Sequence, residues 1–421
     1  MRDLSASLVA EHLTLNILYF TLEDFESLVT WRSINTDLLR EFEKHGHRVF
    51  VVSPSERKKG LPTRVIKEGE AVILKPRIGN IQKTNVIEKG ISTLTIGGIL
   101  ARALKKHLKG VRFDLVLYCT PPITFLGTVG FVKKRDNAKT CLLLKDIFPQ
   151  NAVDIGMMTT TGLKGLLYSY FRKREKKLYA VSDFIDCMSE ANRDYILKNN
   201  PEVDPEIIYV GGNCSAVEDR RVDTETRKAL REKYGIPLDK KVFVYGGNLG
   251  KPQGIPFITE CLKKCADLED VFFLIVGDGT EYPVLDEYAR NAGQKNLKVM
   301  RRLPKEDYDR MVAACDVGLI FLDHRFTIPN FPSRLTSYTQ AGIPVIAATD
   351  PNTDVGKVIE DGDFGCWCES NDSDRFRQLV AEMCALQDET LKEKGLNGMQ
   401  YVKEHFNVEK QYELIVKALA Q

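Results

Sequence analysis

The stretch VFVYGGNLGKPQG, residues 242–254, decides the fold class of this chain. It begins as an unbroken run of apolar, β-favouring residues and ends in a glycine-rich turn, which is typical of a buried strand that leads into a helix. A second apolar run, VFFLIVG at residues 271–277, follows after an amphipathic segment with helical spacing. Continuous apolar strands that alternate with helices predict a parallel, doubly wound sheet.

The same alternation extends in both directions from this stretch. Further strand-like runs lie downstream at residues 297–301, 317–322, 343–348 and 364–369, and upstream at residues 16–21, 48–53, 71–75, 113–119, 141–146, 184–189 and 207–212. We therefore predict an α/β chain with two Rossmann-like domains that face each other across a ligand cleft, at the carboxyl ends of their strands.

The domain boundaries follow from a polar, charge-rich segment at residues 215–235, which is typical of a linker followed by an entry helix. We predict a first domain over residues 1–212 and a second over residues 213–400. The remaining segment, residues 401–421, has a helical pattern. It either caps the second domain or crosses back to the first.

The charge balance bears on the class of partner. The chain has 421 residues, with 60 Lys and Arg against 58 Asp and Glu, so its formal net charge is +2. Such a balance produces no overall field that would gather nucleic acid, and we expect no nucleic-acid partner.

Cysteine usage and hydropathy indicate the compartment. The ten cysteines are scattered through apolar segments, which is typical of a reduced, cytoplasmic protein. Cys366 and Cys368 form a C-x-C pair with no second pair or nearby histidine, so we predict no zinc. The chain has no apolar run of 18 residues, and Glu11 and His12 stand where a signal peptide would be apolar. We therefore expect a protein that is neither secreted nor membrane-spanning.

Two glycine-rich turns suggest a phosphate site. The first contains Gly246, Gly247, Gly250 and Gly254, and the second is the sequence GDG at residues 277–279. Bare backbone before a helix lets amide N–H groups approach a phosphate, although neither turn has the spacing of a Walker or G-x-G-x-x-G motif. Together they predict a bound nucleotide diphosphate. The alternative is a pair of tight turns with an excess of glycine.

A third stretch, NFPSRLTSYTQAGIPVIAATDP at residues 330–351, begins a helix with polar residues and continues into a buried strand. Pro329 and Pro332 exclude helix before the turn. We predict that Asn330, Ser333 and Arg334 face the cleft and bind two phosphates and a ribose. The alternative is that Asn330 and Ser333 cap the helix while Arg334 lies on the surface.

One basic segment could meet a membrane. The sequence GLKGLLYSYFRKREKKLY, residues 162–179, mixes leucine and aromatic residues with a cluster of five cations in its second half: Arg172, Lys173, Arg174, Lys176 and Lys177. Basic amphipathic helices rest on anionic bilayers in this way. The alternative is an ordinary solvated face.

Four motifs in this order, YGGNLGKPQG, IVGDGTE, ACDVGLIFL and PSRLTSYTQAGIPVIAATD, resemble the donor-binding domain of GT-B glycosyltransferases of the GT4 kind. Within these, the chain is similar to bacterial transferases of capsule and O-antigen assembly that act on polyprenyl-linked acceptors. The resemblance covers about residues 15–420. Upstream, LKDIFPQNAVDIGMM matches the family pattern of a strand that ends in an acidic residue before an aromatic-proline turn.

The chain departs from this family at four positions. Such enzymes usually carry two glutamates eight residues apart, where this chain has Pro329 and Ser337. The arginine and lysine common in the glycine loop are replaced by Asn248 and Gln253.

The resemblance implies a retaining transfer of a hexosyl or N-acetylhexosaminyl group from a UDP-sugar to a polyprenyl-linked or oligosaccharide acceptor, without a cofactor or metal. It implies that the first domain binds the acceptor and the second the donor. Lys251 and Arg334 would stabilise the leaving diphosphate, and Lys145 and Asp146 would act on the acceptor side. The implied donor-binding residues are Gly246, Gly247, Asn248, Lys251, Gln253, Gly277, Asp278, Gly279, Asn330, Phe331, Ser333, Arg334 and Ser337. The expected location is the cytoplasm, at the inner face of the membrane.

Two other functions remain open at this point. Nucleotide-sugar epimerases share the architecture, but they need paired carboxylates in the cleft, and no convincing pair is present. A non-catalytic partner that binds a nucleotide sugar would account for the missing glutamates.

Overall fold

The computed structural model describes residues 14–82 and 84–420. Glu11 and His12, on which the expectation about a signal peptide rests, lie outside the described residues. The chain divides into two compact units. The first takes the chain up to Val153, Met158–Ala216 and the residues from Val408 onward, and the second takes Asp154–Met157 and Val217–Asn407.

The first unit is built on a parallel sheet of buried strands. In spatial order the strands are Ile208–Val210, Phe184–Cys187, Lys139–Leu144, Leu115–Thr120, Asn16–Phe20, Arg48–Val52, Ala71–Lys75 and Arg64–Glu68. The last of these pairs antiparallel with its neighbour and was missing from the predicted strands, because its residues are half-buried or exposed and carry no continuous apolar run. A short parallel pair joins Ser55–Glu56 to Arg77–Ile78.

Helices cover this sheet. They span Ile34–Lys44, Val86–His107, Leu126–Asp136, Gln150–Asp154, Gly162–Val181, Glu190–Asn199 and Val408–Leu419. Short 3-10 turns lie at Arg57–Lys59, Ile123–Phe125 and Pro205–Ile207. In the part of the chain that the structure describes, none of the helices combines the length and the apolarity needed to cross a bilayer.

The second unit repeats the architecture. Its parallel strands are, in spatial order, Leu297–Arg301, Val271–Asp278, Lys241–Asn248, Val317–Phe321, Val345–Thr349 and Gly365–Glu369. Helices span Thr224–Tyr234, Ile255–Lys264, Tyr282–Asn291, Lys305–Val312, Arg334–Gln340, Val355–Asp361, Ser373–Ala385 and Asp388–His405, with a 3-10 turn at Lys251–Gln253. The predicted α/β class with two Rossmann-like sheets is confirmed.

The strand order of the second sheet places its ligand edge. The order reverses between Lys241–Asn248 and Val317–Phe321, and doubly wound sheets bind ligands at such a reversal, outside the carboxyl ends of the strands. The core beneath is apolar and closely packed, with Phe243, Phe273 and Leu319 completely buried.

The last helix contacts the first unit. Helix Val408–Leu419 packs on helix Ile34–Lys44, with the rings of Phe42 and Tyr412 5.1 Å apart. His47 Nε2 lies 3.0 Å from the Tyr412 hydroxyl, and Gln411 donates to the buried Asp186 at 2.6 Å. The second unit ends at Asn407, seven residues after the predicted boundary at residue 400, and the first unit resumes at Val408.

Candidate functional site

The candidate site lies in the second unit, where strand Lys241–Asn248 ends. Gly246, Gly247 and Asn248 are the last residues of that strand, and Gly247 and Asn248 are exposed. Gly247 has a φ of 133°, which a residue with a side chain rarely adopts. The chain then turns through Lys251–Gln253 into helix Ile255–Lys264.

Arg334 reaches this turn from the start of helix Arg334–Gln340. Its guanidinium carbon lies 4.3 Å from the centre of the Tyr245 ring, and Nη2 lies 3.2 Å from the position that a Cβ would occupy at Gly247. Nη1 is buried and has no hydrogen-bond partner among the described residues. A buried guanidinium with an unused donor indicates a place prepared for an anion.

Two further tyrosines surround the turn, and sequence reasoning missed both. The Tyr338 hydroxyl accepts from the Gly246 N–H at 3.2 Å and donates to the Leu319 carbonyl at 3.0 Å. The Tyr308 hydroxyl is buried without a partner among the described residues, and its ring fills the space of a side chain at Gly246. Burial raises the pKa of Tyr338 to about 12 and raises the pKa of Tyr308 well above 10, so both phenols are neutral at pH 7.

Gln253 organises the loop after the strand. Its Oε1 accepts from Asn248 Nδ2 and from the Gly250 N–H, each at 3.1 Å, and the Tyr245 hydroxyl donates to the Asn248 carbonyl at 2.8 Å. These three bonds fix the loop, which presents the exposed Lys251 at its start. Asn248 and Gln253 therefore support each other in the free protein.

The glycines of the second turn serve close packing. A side chain at Gly277 would collide with the carbonyl of Gly247, and one at Gly279 would collide with the backbone of Leu249. Asp278 between them accepts from Arg301 at 2.8 Å, and both side chains are exposed. The glycines thus let two strand ends approach each other. The sequence alone suggested bare backbone for binding a phosphate.

The remaining donor-binding candidates differ in exposure. Ser333 is exposed and forms no side-chain cap bond, while Ser337 is half-buried one turn later. Asn330 is half-buried, and its carbonyl accepts from Thr353 Oγ1 at 2.5 Å. Phe331 differs from these polar residues, because its ring is buried against Phe406 with the centroids 5.2 Å apart.

Lys145 and Asp146 belong to the first unit and follow strand Lys139–Leu144. Asn151 Nδ2 donates to Asp146 at 2.7 Å, whereas the Oδ1 atom of Asn151 is buried and has no partner in the described part of the chain. Burial raises the pKa of Asp146 from 3.8 to about 6. Lys145 Nζ lies 3.4 Å from both the Gly212 carbonyl and Asn213 Oδ1.

The basic segment forms helix Gly162–Val181. Some of its cations pair with carboxylates of the same unit, and others are exposed. Arg172 is bonded inside the unit, to Glu175 at 2.6 Å, Asn200 Oδ1 at 2.7 Å and the Asn199 carbonyl at 2.9 Å, so its guanidinium already has protein partners. Lys176 pairs with Glu202 at 2.8 Å on the surface. Lys173 and Lys177 are exposed, and Arg174 lies over the ring of Tyr170.

The groups that could bind a metal lie elsewhere. Within the described ranges, Glu41, His45 and Glu409 of the first unit are close enough to share an ion, but Lys44 already contacts Glu41 at 2.8 Å and Glu409 at 3.8 Å. Cys366 and Cys368 lie on strand Gly365–Glu369, with Cys368 in the core, and burial raises the pKa of both thiols.

Comparison with known proteins agrees with this arrangement. Residues 226–398 match the family model of glycosyl transferases group 1. The probable glycosyltransferase WbjE of Pseudomonas aeruginosa is 23% identical over 306 residues, covering 72% of this chain and 74% of its own. The putative colanic acid biosynthesis glycosyl transferase WcaI of Escherichia coli is 23% identical over 247 residues, 58% of each chain.

Solved structures share the fold over nearly the whole chain. The E. coli structure described as trehalose-6-phosphate bound with UDP-2-fluoro glucose superposes with a TM-score of 0.71 at 10% identity. The match covers 96% of this chain and 99% of that one. Anabaena Alr3699/HepE in complex with UDP and glucose gives 0.67 at 13% identity, covering 95% and 98%. The predicted GT-B fold is confirmed, and residues 226–398 match the family model of glycosyl transferases group 1, in agreement with the predicted resemblance.

Proposed function

We propose that the protein is a retaining, metal-independent glycosyltransferase that moves a hexosyl or N-acetylhexosaminyl group from a UDP-sugar to a polyprenyl-linked or growing polysaccharide acceptor. The family match supports the reaction class. The UDP and UDP-sugar named with two fold neighbours support the donor. The colanic acid biosynthesis named for WcaI supports a surface-polysaccharide acceptor.

The observation that carries the proposal is the state of Arg334. Its guanidinium lies beside exposed Gly247 at the carboxyl end of a central strand, with Nη1 buried and unpaired among the described residues. When the glycosidic bond lengthens, negative charge accumulates on the leaving diphosphate. Arg334, together with Lys251 on the loop that follows Gly247, stabilises that charge in the transition state.

The transfer itself needs no nucleophile from the protein. The acceptor hydroxyl attacks the anomeric carbon from the face that the diphosphate leaves, and a phosphate oxygen of the donor takes its proton. One C–O bond breaks and another forms on the same face, so the configuration is retained.

The first unit supplies hydrogen-bond acceptors for the hydroxyl groups of the substrate that receives the sugar. Asp146, with its pKa near 6, is ionised at pH 7, and Asn151 Oδ1 is an acceptor that no described residue uses. Lys145 lies at the same strand end and holds the neighbouring carbonyl of Gly212.

We also propose that the protein works at the inner face of the membrane, on an anionic surface. Helix Gly162–Val181 exposes Leu166, Leu167 and Tyr170 before the cations Lys173 and Lys177. Exposed apolar side chains followed by cations suit the interface between acyl chains and anionic head groups, where a lipid-linked acceptor lies.

A second candidate function is a nucleotide-sugar-binding partner without catalysis. It is favoured by Ser337, which stands where related enzymes are expected to carry a glutamate. Both candidates bind the donor, so turnover of a radiolabelled sugar onto lipid extracts distinguishes them.

The first experiment is thermal denaturation with UDP-, GDP-, ADP- and TDP-sugars, with and without EDTA. A ligand at 100 times its dissociation constant adds about 2.7 kcal/mol to the free energy of unfolding. Stabilisation by UDP-sugars that is indifferent to EDTA supports the proposal. A response to none of the nucleotides would contradict it, and a response that EDTA abolishes would contradict metal independence.

A further inference from the structure

The guanidinium of Arg334 packs on an aromatic ring, whereas a buried arginine ordinarily pairs with a carboxylate. Among the ion pairs of the described residues, none joins the Arg334 guanidinium to an aspartate or glutamate. Its neighbour is the face of Tyr245, which is completely buried in the core of the second unit. The Tyr245 hydroxyl is held by the Asn248 carbonyl at 2.8 Å, so the ring has a fixed orientation.

This kind of support keeps the positive charge available. A carboxylate would use the guanidinium N–H groups and cancel its field, whereas a ring face orients the cation by its quadrupole and leaves the N–H groups free. The partly buried position lowers the local dielectric and strengthens any contact with an incoming anion.

Tyr308 adds a second unused donor at the same turn. The Tyr338 hydroxyl both donates and accepts within the protein, but the hydroxyl of Tyr308 does neither among the described residues. Its ring lies against Gly246, the neighbour of the glycine that Arg334 approaches. Two buried donors without partners among the described residues, one beside Gly246 and one beside Gly247, indicate that a ligand oxygen completes them.

Building on the donor site proposed above, we infer that Tyr245 and Tyr308 serve the charged end of the nucleotide. Tyr245 is a positioning residue that holds Arg334 on its ring face, and Tyr308 is a further binding residue that donates its hydroxyl to the same diphosphate. The pair makes the site select for phosphate charge, independently of the nucleoside.

The test measures the affinity of the full chain for UDP, UMP and uridine by calorimetry. We expect Tyr245→Leu to weaken UDP binding at least tenfold and to leave uridine binding unchanged, and we expect Tyr245→Phe, which keeps the ring, to bind UDP within threefold of wild type. A folded Tyr245→Leu that binds UDP as wild type does, or that loses UDP and uridine equally, overturns the role of Tyr245. Wild-type protein that binds no UDP overturns the donor site itself.

Tyr308→Phe gives a second readout that does not depend on the fate of Tyr245→Leu. Removal of a buried hydroxyl without a partner is expected to keep or raise the Tm of the free protein, while UDP affinity falls about three- to tenfold. Tyr288→Phe is the matched control, because the Tyr288 hydroxyl already has Gln294 Oε1 at 3.1 Å in the same unit. Its Tm should fall while its UDP affinity stays constant, and the same behaviour in Tyr308→Phe would overturn the inference.

Discussion

The amide N–H of Gly246 donates to the hydroxyl of Tyr338 at 3.2 Å, which joins the end of strand Lys241–Asn248 to helix Arg334–Gln340. Tyr338 also donates to the Leu319 carbonyl, so three elements of the second unit meet at one phenol. The bond fixes the helix that carries Arg334 against the turn that carries Gly247. The two motifs that the sequence suggested separately are therefore parts of one site.

Arg334 is expected to bind the donor through its charge. We expect Arg334→Ala to weaken UDP binding by about 1.5 to 3 kcal/mol, the range of a charge-assisted contact, and Arg334→Lys to recover part of that loss. Calorimetry at two salt concentrations measures both the loss and its electrostatic origin. Arg290→Gln is the control, since this exposed arginine of the same unit pairs with Asp286. Equal affinities in Arg334→Ala and wild type would remove Arg334 from the site.

Gln253 is expected to hold the loop. In Gln253→Ala the buried Gly250 N–H loses its acceptor, which we expect to lower the free energy of unfolding by about 1 to 3 kcal/mol. Gln253→Glu keeps an acceptor oxygen and should retain most of the stability, while its negative charge weakens UDP binding. Urea denaturation and calorimetry measure the two effects. Gln253→Ala with wild-type stability would show that the loop does not depend on this side chain.

Asp146 makes stability depend on pH. Its pKa rises from 3.8 to about 6 on folding, so the folded state binds more protons between these values, and stability falls as pH rises through this window. The ionised carboxylate costs on the order of 3 kcal/mol at pH 7. We therefore expect Asp146→Asn to be more stable than wild type at pH 7 and to lose this advantage near pH 4.

The measurement for Asp146 is urea denaturation across that pH range, with Asp114→Asn as a control at an exposed carboxylate of the same unit. A stability difference between Asp146→Asn and wild type that does not change with pH would contradict the prediction. If Asp146 accepts a hydroxyl of the acceptor, turnover of the wild type should also fall below pH 6.

Lys173 and Lys177 are expected to mediate membrane contact. We expect the double variant Lys173→Gln, Lys177→Gln to lose about 2 kcal/mol of affinity for vesicles rich in phosphatidylserine, at about 1 kcal/mol per charge. Vesicle sedimentation measures this loss. The control is Lys228→Gln, Lys357→Gln, which removes two exposed cations of the second unit. Equal binding by the two double variants would show that helix Gly162–Val181 is no docking face.

The continuous apolar strands made the fold predictable, since a buried parallel strand carries its signal in every residue. Strand Arg64–Glu68 was not predicted, because a partly exposed edge strand has no continuous run of apolar residues. The C-terminal limit of the second unit lies at Asn407, seven residues after the predicted position, because such a limit depends on tertiary contacts.

The site was predictable only in part. Polar residues after strands pointed to Arg334, but Tyr245 and Tyr308 resemble core aromatics in the sequence. The contact of Tyr245 with Arg334 and of Tyr308 with Gly246 arises only when distant segments meet. The partners of Arg172 were hidden for the same reason, because Asn199 and Asn200 follow almost thirty residues later.

Helix Val408–Leu419 has a consequence for biosynthesis. The buried Asp186 receives its bond from Gln411, and His47 contacts Tyr412, so two interior groups of the first unit find these partners 225 and 365 residues later in the chain, after the second unit. The second unit, encoded between them, can fold as it leaves the ribosome. The unit that is started first is therefore completed only after the second unit has been synthesised, and until Leu419 emerges Asp186 and His47 lack the partners that Gln411 and Tyr412 supply.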